Sequence, residues 1–295
     1  MALPLESVPN FSAARDAGVV AALREALSAP ARLLDVHVDA DHNRSVYTLV
    51  GSGAELAETL VAGIALAAER IDLRSHEGVH PRTGAADVVP LVPLEPDDEP
   101  QARETALEVA ERVGAELGLP VFFYGRLTED RRGPAFFRRG GPAELQRRID
   151  AGELAPDRGP RLLHPTAGAV LVGVRKPLIA FNVNIRSHDV GIAREIASLV
   201  RERGGGFPGV RALGLDLPAA GLVQVSMNIE DWEATALHDV VERIAHEAES
   251  RGVEVAGSEL VGLMPAGAAA AAAGRTLRIE GFEPSRVLEV RLLAG

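Results

Sequence analysis

Leu178-Ile179-Ala180-Phe181-Asn182-Val183-Asn184-Ile185 alternates with a period of two. Such alternation sends Phe181, Val183 and Ile185 to one side of a strand and Asn182 and Asn184 to the other. Outward from it, the pattern predicts a helix over 188–202, strands over 210–217 and 222–229, a helix over 234–251 and a strand over 253–263. In the second helix, Leu237, Val240, Val241, Ile244 and Ala248 form one apolar stripe. Strand, helix, strand, strand, helix, strand is the ferredoxin-like split βαβ order, so an α+β fold is expected.

The first half carries a similar series. Leu56, Leu60, Ile64 and Ala68 recur four apart and predict a helix over 53–71. Further helices are expected over 16–29 and 99–117, with strands over 33–38, 46–50, 88–92, 121–124 and 170–174. Gly118 and Gly252 stand where a glycine ends a helix. Two packed α/β subdomains, 1–177 and 178–295, fit this order. Residues 126–159, rich in Gly, Pro and Arg, read as a surface excursion with one short helical piece near 143–151, and long excursions are often functional.

Composition narrows the chemistry. With 295 residues and 46% hydrophobic content, the chain buries a core without staples. It has no cysteine, which excludes disulfides, thiolate metal sites and a thiol nucleophile. A net charge of −11 argues against nucleic acid or an anionic membrane as partner. The N-terminal stretch Met1 to Ser12 lacks a basic, apolar leader, so a cytoplasmic protein is expected. The apolar run 260–273 is broken by Gly262, Pro265 and Gly267 and is too short to span a bilayer.

Several polar positions stand out. Gln224, Ser226 and Asn228 alternate against Val223, Val225, Met227 and Ile229, as Asn182 and Asn184 do in the neighbouring strand. A sheet with one wet face accounts for this. An uncharged amide and hydroxyl face also suits a half-buried groove that hydrogen-bonds a ligand. Asp39-Ala40-Asp41-His42-Asn43-Arg44 joins two strands, either as a turn satisfied by Asp and Asn or as a cluster that binds a charged substrate and orients a base. Arg74-Ser75-His76-Glu77-Gly78-Val79-His80-Pro81-Arg82 holds two imidazoles and a guanidinium in a Gly/Pro-shaped loop. His76 and His80 have the i, i+4 spacing of a helical metal pair, but Gly78 and Pro81 oppose a helix there, so no metal is expected. Histidine exchanges protons near neutral pH, and a nearby Arg can hold a carboxylate.

An ordered set of motifs now covers nearly the whole chain. It comprises Val8-Pro9-Asn10-Phe11-Ser12, Asp41-His42-Asn43-Arg44-Ser45-Val46, His80-Pro81-Arg82-Thr83-Gly84-Ala85-Ala86-Asp87-Val88, Ala180-Phe181-Asn182-Val183-Asn184, Gln224-Val225-Ser226-Met227-Asn228 and Gly257-Ser258-Glu259-Leu260-Val261-Gly262-Leu263-Met264-Pro265. Together they resemble the glutamate formimidoyltransferase family, without the cyclodeaminase part found in its bifunctional members. The resemblance implies two ferredoxin-like subdomains with a ligand tunnel between them, usually in a homodimer. It implies transfer of a formimidoyl group from N-formimidoyl-L-glutamate to N5 of tetrahydrofolate, in histidine breakdown. It places the catalytic histidine at His80. It places the folate-lining segment on Gly159-Pro160-Arg161-Leu162-Leu163-His164-Pro165-Thr166-Ala167-Gly168. Asp39, His42, Asn43, Arg44, Arg82, Asn182, Asn184, Gln224, Ser226 and Asn228 are then candidates for binding the substrates.

The chain departs from the family pattern at several points. Val79 stands where a Glu is common before the histidine, Thr83 where Met is common, Ser7 where Cys is common, and Ala167 where an aromatic is common. Alternatives are transfer of a formyl group, use of another amine, or a folate-binding module without turnover.

Overall fold

The computed structural model describes residues 5–293. The first four residues of the N-terminal stretch and the last two of the chain lie outside the described residues. The chain divides into two compact units, Met1–Lys176 and Pro177–Gly295. Both mix helices with a sheet, giving an α+β fold.

The first unit contains β1 (Leu5–Ser7), β2 (Asn10–Phe11), α1 (Ala17–Ala26), β3 (Arg32–Asp39), β4 (Arg44–Gly51), α2 (Gly53–Arg70), β5 (Ala86–Val92), α3 (Glu99–Glu116), β6 (Val121–Gly125), α4 (Pro134–Arg138), α5 (Gly141–Asp150) and β7 (Val170–Val174). β1 and β2 both pair with β4 on one side and β5 on the other, so they act as one strand interrupted at Val8-Pro9. Proline lacks the N–H that an unbroken central strand would need. β3 extends the sheet beyond β4 through antiparallel pairing, while β5, β7 and β6 run parallel. Ser52 caps α2 through a reciprocal pair with Glu55, which satisfies N–H groups that the first turn leaves open.

Alternation along the strands gives the sheet two apolar faces. Val89, Leu91, Val121, Val172 and Val174 join Leu56, Leu60 and Ile64 of α2 and Ala106, Val109 and Val113 of α3 in the main core. Val88, Phe122, Tyr124 and Leu171 belong to a second cluster with Phe137, Leu145 and Ile149. The expected excursion over 126–159 therefore folds back: α4 and α5 cover the other face of the parallel strands. Leu145 and Ile149, four apart, anchor α5, while α4 spans a single turn that leaves too little periodicity to read.

The second unit contains β8 (Ile179–Ile185), α6 (Val190–Val200), β9 (Val210–Leu217), β10 (Leu222–Ile229), α7 (Leu237–Ser250), β11 (Val255–Val261), α8 (Ala266–Leu277) and α9 (Leu288–Leu293). Its antiparallel sheet runs β11-β8-β10-β9. Val183, Ile185, Val223, Val225 and Ile229 pack with Ile196 of α6 and Val240 and Ile244 of α7. Gly118 and Gly252 adopt φ of +63° and +71° at the ends of α3 and α7, the left-handed turn that the sequence assigns to them. The Ala-rich 266–277 stretch is helical although the sequence reading gave it no element; alanine's helix propensity suffices once Pro265 starts it. No helix among the described residues is long and apolar enough to cross a membrane.

Candidate active site

Asp87, near the start of β5, is 0% exposed and organises the polar centre of the first unit. Its Oδ1 accepts the Thr83 backbone N–H at 2.7 Å and the Thr83 hydroxyl at 2.9 Å. Its Oδ2 accepts Nη1 of Arg44 at 2.7 Å and Nη2 of Arg138 at 2.5 Å. Arg44 also donates from Nε to the Asn10 side-chain oxygen at 2.9 Å. Residues from β4, α4 and the loop before β5 thus meet on the β5 carboxylate, with Asn10 of β2 supporting Arg44 from behind. Burial alone would raise its pKa, but the charges of Arg138 and Arg44 and the Thr83 N–H hold it well below the usual carboxylate range. Arg44 pays the opposite cost: desolvation brings its pKa down to about 10. Two guanidiniums share one carboxylate, so the centre carries excess positive charge.

The loop before β5 is held by backbone carbonyls rather than by helix formation. Arg82 donates to the carbonyls of His76 at 3.1 Å and Gly78 at 2.8 Å. Asn43, at φ +48°, donates to the Glu77 carbonyl and accepts the N–H groups of Ala14 and Arg15, tying three segments together. A Cβ on Gly78 would lie 2.4 Å from the His42 carbonyl oxygen, so only glycine allows this approach. His76 Nε2 sits 3.0 Å from the Asn43 carbonyl oxygen, and its partner in the i, i+4 pair lies on a loop, not a helix turn.

His80 faces the Asp87 centre. Desolvation first, then the positive charges of Arg44 and Arg138, push its pKa well below the ordinary histidine value, with Asp87 opposing weakly. That direction favours the uncharged imidazole. Its Nδ1 is shielded from solvent and has no hydrogen-bond partner among the described residues. The His42 ring lies 5.9 Å away, centroid to centroid, in an edge-on arrangement. His42 is only 6% exposed. Its Nδ1 is 2.8 Å from Asp39 Oδ2, and its backbone N–H donates to Asp39 Oδ1 at 2.9 Å. Burial works to raise the Asp39 pKa, but the His42 hydrogen bonds outweigh it and lower it.

The 159–168 segment docks on the same loop. Gly84 and Gly168 form a bridge, Ala85 N–H donates to the Ala167 carbonyl at 2.9 Å, and Ala169 N–H donates to the Thr83 carbonyl at 3.1 Å. Gly168 has φ +67°, and a Cβ there would lie 2.2 Å from the Thr83 carbonyl oxygen. His164 turns its Nδ1 onto its own turn, accepting the Ala167 N–H at 3.0 Å. Arg161 donates to the Ile149 carbonyl at 3.2 Å, and Leu162 is 70% exposed.

The second unit presents its amides across paired strands. Gln224 stands opposite Asn184, and Ser226 opposite Asn182. Gln224 donates to the Asn184 side-chain oxygen at 2.9 Å and Asn182 to Glu259 at 3.0 Å. Asn182 and Gln224 are buried, Asn184 and Ser226 partly so, and Asn228 is exposed. The Gln224 Oε1 is buried without a partner among the described residues.

The fold brings Asp39, His42, Arg44 and His80 into one cluster, with the 159–168 segment against the same loop. Arg82 and Asn43, expected to bind substrate, have side chains engaged in shaping that loop. Sequence reasoning missed Arg138, Asp87, Thr83 and Asn10 as members of the centre. Asp87, Thr83 and Asn10 lie inside motifs that carry the resemblance, so proximity to His80 was a usable signal for the first two. Arg138 sits in an Arg-rich stretch with nothing to single it out. The departure at Thr83 gains meaning here, since its hydroxyl supplies one of the four hydrogen bonds to Asp87.

The chain is similar to known proteins over nearly its whole length. Residues 4–175 match the family model described as the formiminotransferase domain, N-terminal subdomain, and residues 180–281 match the formiminotransferase domain. A glutamate formimidoyltransferase from Streptococcus pyogenes is 40% identical over 99% of this chain and 100% of its own length. One from Thermoplasma acidophilum is 37% identical over 98% of this chain and 97% of its own. The formimidoyltransferase-cyclodeaminase of Gallus gallus is 38% identical over 90% of this chain but only 51% of its own length.

Proposed function

The chain belongs to the formiminotransferase family, and from that premise we propose that it moves a formimidoyl group from N-formimidoyl-L-glutamate to N5 of tetrahydrofolate, releasing glutamate. The observation that carries the reading is His80: an imidazole beside two guanidiniums that share one carboxylate, a setting that lowers its pKa.

Tetrahydrofolate, when bound, supplies N5 as the nucleophile. An uncharged His80 accepts the N5 proton and returns it to the departing glutamate nitrogen, a role that contributes ~10²–10⁴-fold in rate. Arg44 and Arg138, with one charge in excess of Asp87, attract a substrate carboxylate close to His80. The 159–168 segment fits a folate-lining role because the Ala85 hydrogen bond to Ala167 and that of the adjoining Ala169 to Thr83 fix it against the loop that carries His80, and Leu162 offers an exposed apolar side chain. The Asn182, Asn184, Gln224, Ser226 and Asn228 face offers donors and acceptors of the kind a pterin or substrate uses; the unpartnered Gln224 Oε1 supports that.

The finer architecture belongs to the same proposal: ferredoxin-like subdomains, a ligand tunnel, a homodimer and a cytoplasmic location. The β8-α6-β9-β10-α7-β11 order with sheet order β11-β8-β10-β9 supports the ferredoxin-like reading of the second unit.

The test is to supply purified protein with tetrahydrofolate and either N-formimidoyl-L-glutamate or N-formyl-L-glutamate, following product and released glutamate. Formimidoyl transfer is expected. Turnover with the formyl donor alone would move the chain to the neighbouring chemistry that Val79 keeps open. Folate binding with no turnover of either donor would make it a binding module.

A further inference from the structure

We propose that Asp39 and His42 form a relay behind His80, with His42 Nε2 accepting a hydrogen bond from His80 Nδ1–H so that His80 offers Nε2 to the substrate. This rests on the reading of His80 as the proton-transfer group.

The argument is one of donors and acceptors. An Asp39 carboxylate can only accept, so its 2.8 Å contact places a proton on His42 Nδ1. In the uncharged form of the ring, Nε2 then carries the lone pair, and it is buried without a partner among the described residues. His80 Nδ1 is in the same condition on a ring whose centre is 5.9 Å away. The other charged groups that act on His80 cannot serve its Nδ1–H. Arg44 and Arg138 have no acceptor. Asp87 already accepts four hydrogen bonds, two on each oxygen, which fills its lone-pair sites. Among these groups His42 Nε2 is the acceptor that remains. One bridging water, or a shift of the rings toward each other, would join the two nitrogens, as catalytic hydrogen bonds commonly tighten only with substrate bound.

The proton count closes. As the N5–carbon bond forms, the N5 proton moves to His80 Nε2. As the carbon–nitrogen bond to glutamate breaks, that proton passes to the leaving nitrogen. His80 Nδ1 keeps its own proton throughout, and the passing imidazolium is steadied through His42 by the negative charge of Asp39. His42 is thus a positioning residue. The charged and titratable groups around it are Asp39 and His37 on β3, Arg44 on β4 and His80 on the loop before β5, with Asp87 and Arg138 beyond His80.

The test compares wild type with His42→Asn, whose amide can still donate to Asp39 but has no atom at the Nε2 position. Nitrogen-15 chemical shifts of the histidine rings report which nitrogen holds the proton. Wild-type His80 is expected in the Nδ1–H form, shifting toward a mixture in His42→Asn. kcat is expected to fall about tenfold with KM for both substrates within about threefold. An Nε2–H form of His80 in the wild type, or an unchanged ring spectrum and kcat in the variant, would overturn the relay. If His42→Asn does not fold, the wild-type tautomer decides by itself, and Asp39→Asn gives the second kinetic comparison. Absence of transfer by the wild type would sink the transferase reading instead, while the tautomer measurement would still stand.

Discussion

The two polar regions of this protein are built on different rules. Around His80 the first unit gathers charges: Asp87 bound by two arginines, and Asp39 bound to a second histidine. On β8 and β10 the second unit pairs uncharged amides and a hydroxyl across neighbouring strands. Charges shift the protonation of what lies beside them, whereas amides read shape and hydrogen-bond pattern without moving a proton. One region is therefore suited to chemistry and the other to recognition.

That contrast predicts unequal consequences of substitution. The largest effect belongs to His80→Ala, which should lower kcat by about 10²-fold or more while tetrahydrofolate affinity stays close to wild type, as checked by steady-state kinetics and equilibrium binding. Equal losses in binding and turnover would assign His80 to recognition and erase the distinction.

Asp87→Asn comes next, and its effect is on stability. It strands two largely buried guanidiniums, at a cost of about 3–5 kcal/mol in denaturant unfolding. The sign of the pH dependence follows from the lowered carboxyl pKa. The contribution of Asp87 is fully present above the unfolded carboxylate pKa near ~4 and is lost as pH falls through and below it. Acid destabilisation should accordingly be shallower in the variant, and an identical acid profile would remove Asp87 from the account. The smallest effects are expected on the amide face. Asn182→Ala, which removes a buried hydrogen-bonding group, should weaken ligand affinity about tenfold, and the exposed Asn228→Ala only about threefold. Unchanged affinity in both would return that face to an ordinary wet sheet.

The same contrast explains what could be read without coordinates. The amide face was legible because a strand's side-chain period is fixed, so Asn182, Asn184, Gln224 and Ser226 had to share a side once the strands were recognised. Most helices and strands followed from apolar period, and two helix ends from Gly118 and Gly252. The charged centre was only half legible. His80, Arg44, His42 and Asp39 were named, but the four-hydrogen-bond shell of Asp87 depends on β4, β5 and α4 meeting in space. No local pattern states that Arg138, fifty-one residues along the chain, ends on Asp87. Arg82 shows a related gap: its chemistry suits a carboxylate, and only the fold shows that its guanidinium also reaches the loop's own carbonyls.

The central claim is that His80 is an uncharged imidazole at working pH, made so by burial and by Arg44 and Arg138. A histidine ring titration of the ligand-free protein by nuclear magnetic resonance tests it most directly. The account predicts that His80 stays neutral through pH 6.5 and takes up its proton only well below that value. A His80 that is protonated at pH 7 would contradict it.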